Sequence, residues 1–421
     1  MLTIDQTLSS TDDRRRETHV LAADRDDVYA DWLSLFERDP LANPLQHPDY
    51  VLAELKSDAK ARHLRPVILR VGSETECEGI GTLVPKSVRT ENVGGIGPGW
   101  TMRGLRLPGG AFLTANQSKE TLSQLLSVAC RHCAETNSDF LLIEDLEEQS
   151  LLHQAIHGDI ADGFRLFAVR EVQARWRIEF PDQEEDYWKT FSSRTRRAFR
   201  TRLKKFGETR LERITDVEQI PAFLAAAHEV SQQSWQTRQF GLRIRNDDTE
   251  LQQLSVLARH GFLRSYLWEV NGKPAAFALC HQHAGYFRYE EIAYCAQYSP
   301  LSPGETMLQQ IVEDLYRYDT PKWFDFGGGD AEYKRRFGNL ESLSQTVWLV
   351  PPTWRGNMTL VYLNACRGLR SSVRRLVKAS GMATKARQWL RYGGRAAHAS
   401  AVTTTPSASG DEAKSPVTLG Q

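Results

Sequence analysis

The chain holds 421 residues, with 53 lysines and arginines against 53 aspartates and glutamates, so its formal charge at neutral pH is zero. That length exceeds one typical core and points to two domains with appendages. Balanced charge argues against a general polyanion binder, and six cysteines are too sparse for a secreted disulfide scaffold. The start is polar, without the apolar stretch of a signal peptide, and no run approaches the ~20 apolar residues a spanning helix needs. A reduced, cytoplasmic protein is the expectation.

Residues 1–18 are polar and are read as a loose N-terminus. Val28–Phe36 and His47–Leu55 read as helices, separated by Pro40 and Pro44. Leu64–Val71 and Gly79–Val84 read as strands around a polar turn, and the glycine-rich stretch Gly94–Gly110 reads as a loop. Lys119–Glu135 places Leu122, Leu125, Leu126, Ala129 and Cys133 on one helical face, and Phe140–Ile143 is a buried strand. Cys130-Arg131-His132-Cys133 lies inside that helix without a second pair nearby, so it reads as core packing rather than a metal motif.

Phe164–Phe180 is a strand pair that joins the halves. Ile220–Trp235 is helical, and Asp247 with Glu250 resembles a capping box for a helix ending near Gly261. Leu263–Val270 and Pro274–His281 flank Asn271-Gly272, a strong hairpin signal. A third strand follows over Tyr286–Tyr294, then a proline-rich turn (Gln297–Gly304). Glu305–Tyr318 is an amphipathic helix, and Trp323–Phe326 is a short strand running into a polar loop. Residues 64–144 and 263–326 thus repeat one order of elements without repeating residues. The fold class expected is α/β with mixed sheets, built from two related halves.

Two segments are strongly basic. Arg194–Arg213 is dense in arginine and lysine. Arg355–Arg395 carries eight arginines plus Lys378 and Lys385 with no acid, and its interleaved leucines and valines suggest basic amphipathic helices. These would lie on an anionic lipid surface or, on the plainer reading, cover the protein's own second half. Residues 399–421 are a low-complexity tail expected to be disordered. The boundaries expected are 19–175, 176–352 and 353–398 for the two domains and the basic extension.

The polar loop after the Trp323–Phe326 strand sits where α/β proteins place chemistry. Acid–base chemistry there would call for a carboxylate base such as Asp330 or Glu290. Tyr333 suits a proton donor, and Lys334 an acceptor-binding or oxyanion group. Asp325 orients the loop. The plainer reading makes these residues a surface turn and strand cap. Glu290 or Glu291, mid-strand, must face the buried side, where a carboxylate is paired or functional. His281 and His283 alternate on one strand face, but no third ligand appears at metal spacing, so no metal is expected.

Ser302-Pro303-Gly304 before an amphipathic helix, followed by Asp325-Phe326-Gly327 and Tyr333-Lys334, resembles the CelD-like acetyltransferases of the GNAT superfamily, related to FemAB-type aminoacyl transferases. The resemblance spans roughly Tyr187–Val350 and implies two tandem GNAT-like domains. It implies an acyltransferase that uses acetyl-CoA or another acyl-CoA, held by Ser302, Gly304 and Thr306. The acceptor would be an amino or hydroxyl group of a sugar or polysaccharide precursor. Two alternatives stand beside it. One is a FemAB-like enzyme that uses aminoacyl-tRNA, gripping phosphates through Arg194–Arg213. The other is a non-catalytic module docking at the inner face of a membrane through residues 353–398.

Overall fold

The computed structural model describes residues 17–22, 25–57, 64–90, 100–159, 163–234 and 244–379. Expectations for residues 1–16, for Gly94–Gly99 and for the chain beyond 379 lie outside that set. The first half comprises β1 (Glu17–Ala22), α1 (Asp26–Arg38), α2 (Pro48–Ser57), β2 (Val67–Gly72), β3 (Cys77–Arg89) and β4 (Thr101–Leu107). After them come β5 (Leu113–Thr114), α3 (Lys119–Glu135), β6 (Leu141–Glu147), α4 (Leu151–Asp159) and β7 (Arg165–Ala168). A connecting region holds β8 (Gln173–Glu179), α5 (Glu184–Lys189) and α6 (Ser193–Lys204).

The second half follows with β9 (Thr209–Ile214), α7 (Ile220–Gln233), α8 (Asp248–Arg259), β10 (Ser265–Val270), β11 (Lys273–His283) and β12 (Tyr286–Tyr294). It closes with α9 (Pro303–Tyr318), β13 (Trp323–Gly328), α10 (Glu332–Phe337) and β14 (Leu340–Val350), after which α11 (Trp354–Ala379) extends the chain.

The repeat anticipated from element order is a repeat of topology. In each half a strand, two helices and three strands build an antiparallel ladder, β1-β2-β3-β4 in the first and β9-β10-β11-β12 in the second. A crossover helix then returns the chain parallel to the fourth strand, as β6 beside β4 and β13 beside β12. The halves join by exchanging strands. β8, which leaves the first half, pairs with β13, whereas β14, which closes the second, pairs with β6. β8 and β14 also pair with each other, so the sheet runs unbroken as β1-β2-β3-β4-β6-β14-β8-β13-β12-β11-β10-β9.

Several strands are additions to the reading from sequence, among them β1, which opens at Glu17 within the stretch read as loose, β5 and β9, and above all β4 and β14. β4 falls within the stretch read as a loop. Its Gly104 is there because the chain passes against Phe140, whose carbonyl oxygen would lie 2.3 Å from any Cβ added at 104. Glycine marks close approach in a strand as readily as it marks a turn. β14, whose residues alternate poorly, is flanked on both sides and reads as buried only once β6 and β8 are in place. By contrast α3 spans the residues its leucine face predicts, and the Asp247 side chain caps α8 by accepting from the Glu250 amide.

The core of the second half shows why α9 is well fixed. Met307, Leu308, Ile311, Val312 and Leu315 are fully buried against the sheet. At roughly 1.5–3 kcal/mol per buried side chain, this face outweighs the intrinsic propensity of a helix that starts in a proline turn. Cys130 and Cys133 are likewise buried among the leucines of the first core, and burial pushes both thiols up to about 12.

Candidate active site

The site forms where two strands part. β12 and β13 pair over only three residues, Tyr286 to Arg288 beside Trp323 to Asp325. Beyond them the strands diverge, with Tyr289, Glu290 and Ile292 on one wall and Phe326 and Gly327 on the other. Two adjoining cavities, of about 350 and 440 Å³, occupy the opening and share Asp145, Arg170, Tyr289, Glu290, Gly327 and Thr346. The larger reaches the first half, where Lys86, Arg106 and Glu144 line it.

Glu290 owes its position to a bulge. β11 steps from Leu279 to Cys280 while its partner steps from Glu291 to Tyr289, so Glu290 is the extra residue of β12. A bulge re-aims a side chain at the point where the ladder is interrupted. The carboxylate keeps 44% of its side-chain surface, yet both cavities close around it. Burial raises its pKa above the ordinary 4.5, with Arg288 pulling the other way. His281 of β11, buried behind it, places Nε2 3.6 Å from Glu290 Oε1. Burial pushes His281 down to about 3, so this imidazole is neutral.

Tyr333, on α10, lines the smaller cavity opposite Glu290, and burial raises its phenol to about 12. Tyr289 adds a hydroxyl that is buried on the cavity wall without a protein partner, as is Nη1 of Arg288. Neither was singled out from sequence. The signal lay in the aromatic run of β12, which reads equally well as ordinary strand packing.

Asp325 sits at the floor, where Arg175 of β8 grips it with Nε 3.0 Å from both carboxylate oxygens and Nη2 2.5 Å from Oδ2. The Gly327 amide donates to Oδ1 at 2.9 Å, so Asp325 holds the turn as well as the arginine. Burial opposes its charge, but the Arg175 guanidinium prevails and holds the carboxyl far below the usual range. Removing one partner of such a buried pair typically costs about 3–5 kcal/mol.

Two candidates have other work. The Lys334 ammonium lies 2.8, 3.2 and 3.0 Å from the carbonyl oxygens of Phe326, Gly327 and Gly328, so its three N–H donors are committed to the turn and none is left for an oxyanion. It holds the turn while lining the smaller cavity. Asp330 is carried past the turn into solvent, where Arg335 clamps it, and it lines neither cavity. Of the two carboxylates expected as a base, Asp330 and Glu290, it is Glu290 that lines the cleft.

The start of α9 is unusual. Ser302 adopts a left-handed backbone (φ 55°), costly for a residue with a Cβ. Gly304 packs beside Ile292 and Tyr294 of β12. Thr306 is buried and donates its hydroxyl to the Ser302 carbonyl. Glu305 fills the helix entrance and bridges Arg202 of α6 (2.6 Å) to Arg336 of α10 (2.8 Å).

Residues 192–335, which cover α6 through most of α10, match the family described as an acetyltransferase (GNAT) domain. No curated protein gives a match. Among solved structures, FemX superposes with a TM-score of 0.54 at 16% identity, covering 77% of this chain and 96% of that one. The C-terminal domain (DUF2156) of a putative lysylphosphatidylglycerol synthetase from Agrobacterium fabrum gives 0.46 at 11% identity, over 80% and 95% of the two chains. A tandem GNAT protein from the clavulanic acid biosynthesis pathway gives 0.45 at 12%, over 80% and 98%. The likeness to FemX is one of fold. The CelD-like subgroup suggested by sequence is not among these matches.

Proposed function

We propose that this chain is an acyltransferase that binds acyl-CoA, with acetyl-CoA the first donor to test, between the parting strands β12 and β13. The acceptor is an amino or hydroxyl group of a sugar or polysaccharide precursor. One observation carries the proposal: a carboxylate with a raised pKa, aimed by a bulge into a cleft inside the segment that matches a GNAT domain. Glu290 takes the proton of the attacking amine or hydroxyl as the new bond to the acyl carbon forms. Tyr333, still protonated at neutral pH, donates a hydrogen bond to the departing sulfur. Arg288 and Tyr289, with unpartnered buried polar atoms, fit oxygens of the bound substrates. Asp325, Arg175 and Lys334 hold the Gly327–Gly328 turn that forms the opposite wall.

Donor phosphates would use the α9 entrance by displacing the Glu305 carboxylate from Arg202 and Arg336. A measurement of thiol release from acyl-CoAs against a panel of amino sugars and nucleotide sugars tests the reading. Glu290→Gln should lower turnover by about 10²–10⁴, and turnover unchanged in that variant would remove the mechanism.

A second reading is favoured by α6. Arg194, Arg197, Arg200 and Lys204 on it and Lys205 just past its end are exposed, a stripe that suits nucleic-acid phosphate. On this reading the donor is aminoacyl-tRNA and the same cleft holds the aminoacyl ester. Donor dependence of the same assay separates the two.

We further place an anionic membrane surface against α11. No helix among the described residues is long and apolar enough to cross a membrane. Leu360 and Leu363 pack α11 onto the first half, so part of it does cover the protein. Its other side leaves Trp354, Met358, Val361 and Leu369 exposed at helical spacing, a stripe suited to lying in a lipid interface.

A further inference from the structure

Two histidines and an aspartate converge where α2 of the first half packs against α8 of the second. His47 and Asp49 stand at the entrance of α2, and His260 caps the C-terminal end of α8. One ligand-type atom from each lies within 4.8 Å of the others. His260 Nε2 is 2.8 Å from Asp49 Oδ2, and the imidazoles of His47 and His260 lie 4.0 Å apart between centroids. Phe36 and Phe262 form apolar walls, each within 5.6 Å of the His47 ring by centroid.

The set is more than a hydrogen-bonded pair. His47 is 2% exposed and shares its single carboxylate neighbour with a second imidazole. Its Nδ1 receives only a 3.2 Å contact from the Asp49 amide. Asp49 Oδ1 is separately held by the Tyr29 hydroxyl at 2.9 Å, the kind of outer partner that orients a ligating carboxylate. His283 belongs to the same aromatic group but stacks on Phe36 at 4.5 Å, outside the three-residue set.

We infer that His47, Asp49 and His260 bind a zinc ion that clips the two halves together. Two imidazoles and one carboxylate are a donor set zinc accepts, with water completing the tetrahedron on the part-exposed side. On binding, the proton between His260 and Asp49 gives way to the ion and His260 takes its other tautomer. The turn leading into His47 also contributes Asn43 and Leu45 to the larger cavity, so the clip steadies the first-half wall of the cleft.

The test uses the full chain stripped with a chelator and titrated with Zn²⁺ against a chromophoric competitor. One equivalent should bind with a dissociation constant of roughly micromolar or below. The melting temperature should rise with zinc concentration, and Co²⁺ in its place should show the intense visible bands of a low-coordinate site. Asp49→Asn and His260→Ala should each lose the equivalent while keeping the wild-type circular dichroism. If His260→Ala fails to fold, His260→Gln, which keeps a donor toward Asp49, replaces it. No zinc bound by the wild type, or equal binding by the folded variants, overturns the inference. Because the readout is stoichiometry, it stands or falls apart from transferase activity.

Discussion

With Glu290 as the proposed base, its environment sets how activity should vary with pH. A base works in its ionised form, so kcat/KM should rise with pH through a value displaced above 4.5, and Glu290→Gln should flatten that limb. The sign for stability is opposite. A carboxyl whose folded pKa is raised contributes stability below its unfolded pKa and loses it as pH rises through the folded one. Glu290→Gln should therefore hold or raise the melting temperature at neutral pH while removing activity. A large loss of stability in that variant would make Glu290 a structural ion rather than a base. At this scale the sequence was half legible. The acids in mid-strand brought Glu290 forward as a candidate base beside Asp330, but the bulge that aims it into the cleft is not readable from sequence. Tyr333 could be found beside a strand end, but the capture of Lys334 by three carbonyls depends on how the turn folds back. Likewise Asp325 announces a strand end, while its partner Arg175 lies 150 residues earlier.

Elements with one strong face, a short apolar run or a clear turn signal were readable, and β4 and β14 were not. α3 and α9 declare themselves by leucine and isoleucine spacing. β4 hides behind a glycine needed for close approach, and β14 behind a mixed pattern between two partners. Two predictions belong here. The first concerns α9: Glu305 sits in its first turn between Arg202 and Arg336, where the helix dipole also favours an anion. If donor phosphates take that place, Glu305→Gln should tighten acyl-CoA binding in calorimetry by severalfold. Weaker binding would mean that the phosphates bind elsewhere. The second concerns α11. Its exposed Trp354, Met358, Val361 and Leu369 should hold the full chain on anionic liposomes during sedimentation, less so as salt rises. Trp354→Ser with Val361→Ser should release it. Equal recovery with anionic and zwitterionic vesicles would leave the stripe to another partner.

At the scale of the molecule, the repeated order of strands was visible in the sequence, but the way the copies join was not, because pairing between β6 and β14 links residues about two hundred positions apart. The expected boundary at 175/176 falls inside β8, a strand of the second half's sheet. Cutting there should leave neither fragment cooperatively folded, whereas the two fragments mixed should regain a common melting transition. A first fragment that melts sharply by itself would show that the strand exchange is dispensable.

That exchange also sets a timetable for synthesis. When β6 leaves the ribosome its outer edge has no partner, and β14 lies some two hundred residues downstream. At ~5–20 residues per second the edge stays open for roughly ten to forty seconds. An open edge is a template for any other strand. A nascent chain could thus accept β14 from a finished neighbour on the same message, giving interlocked dimers built from the same contacts as the monomer.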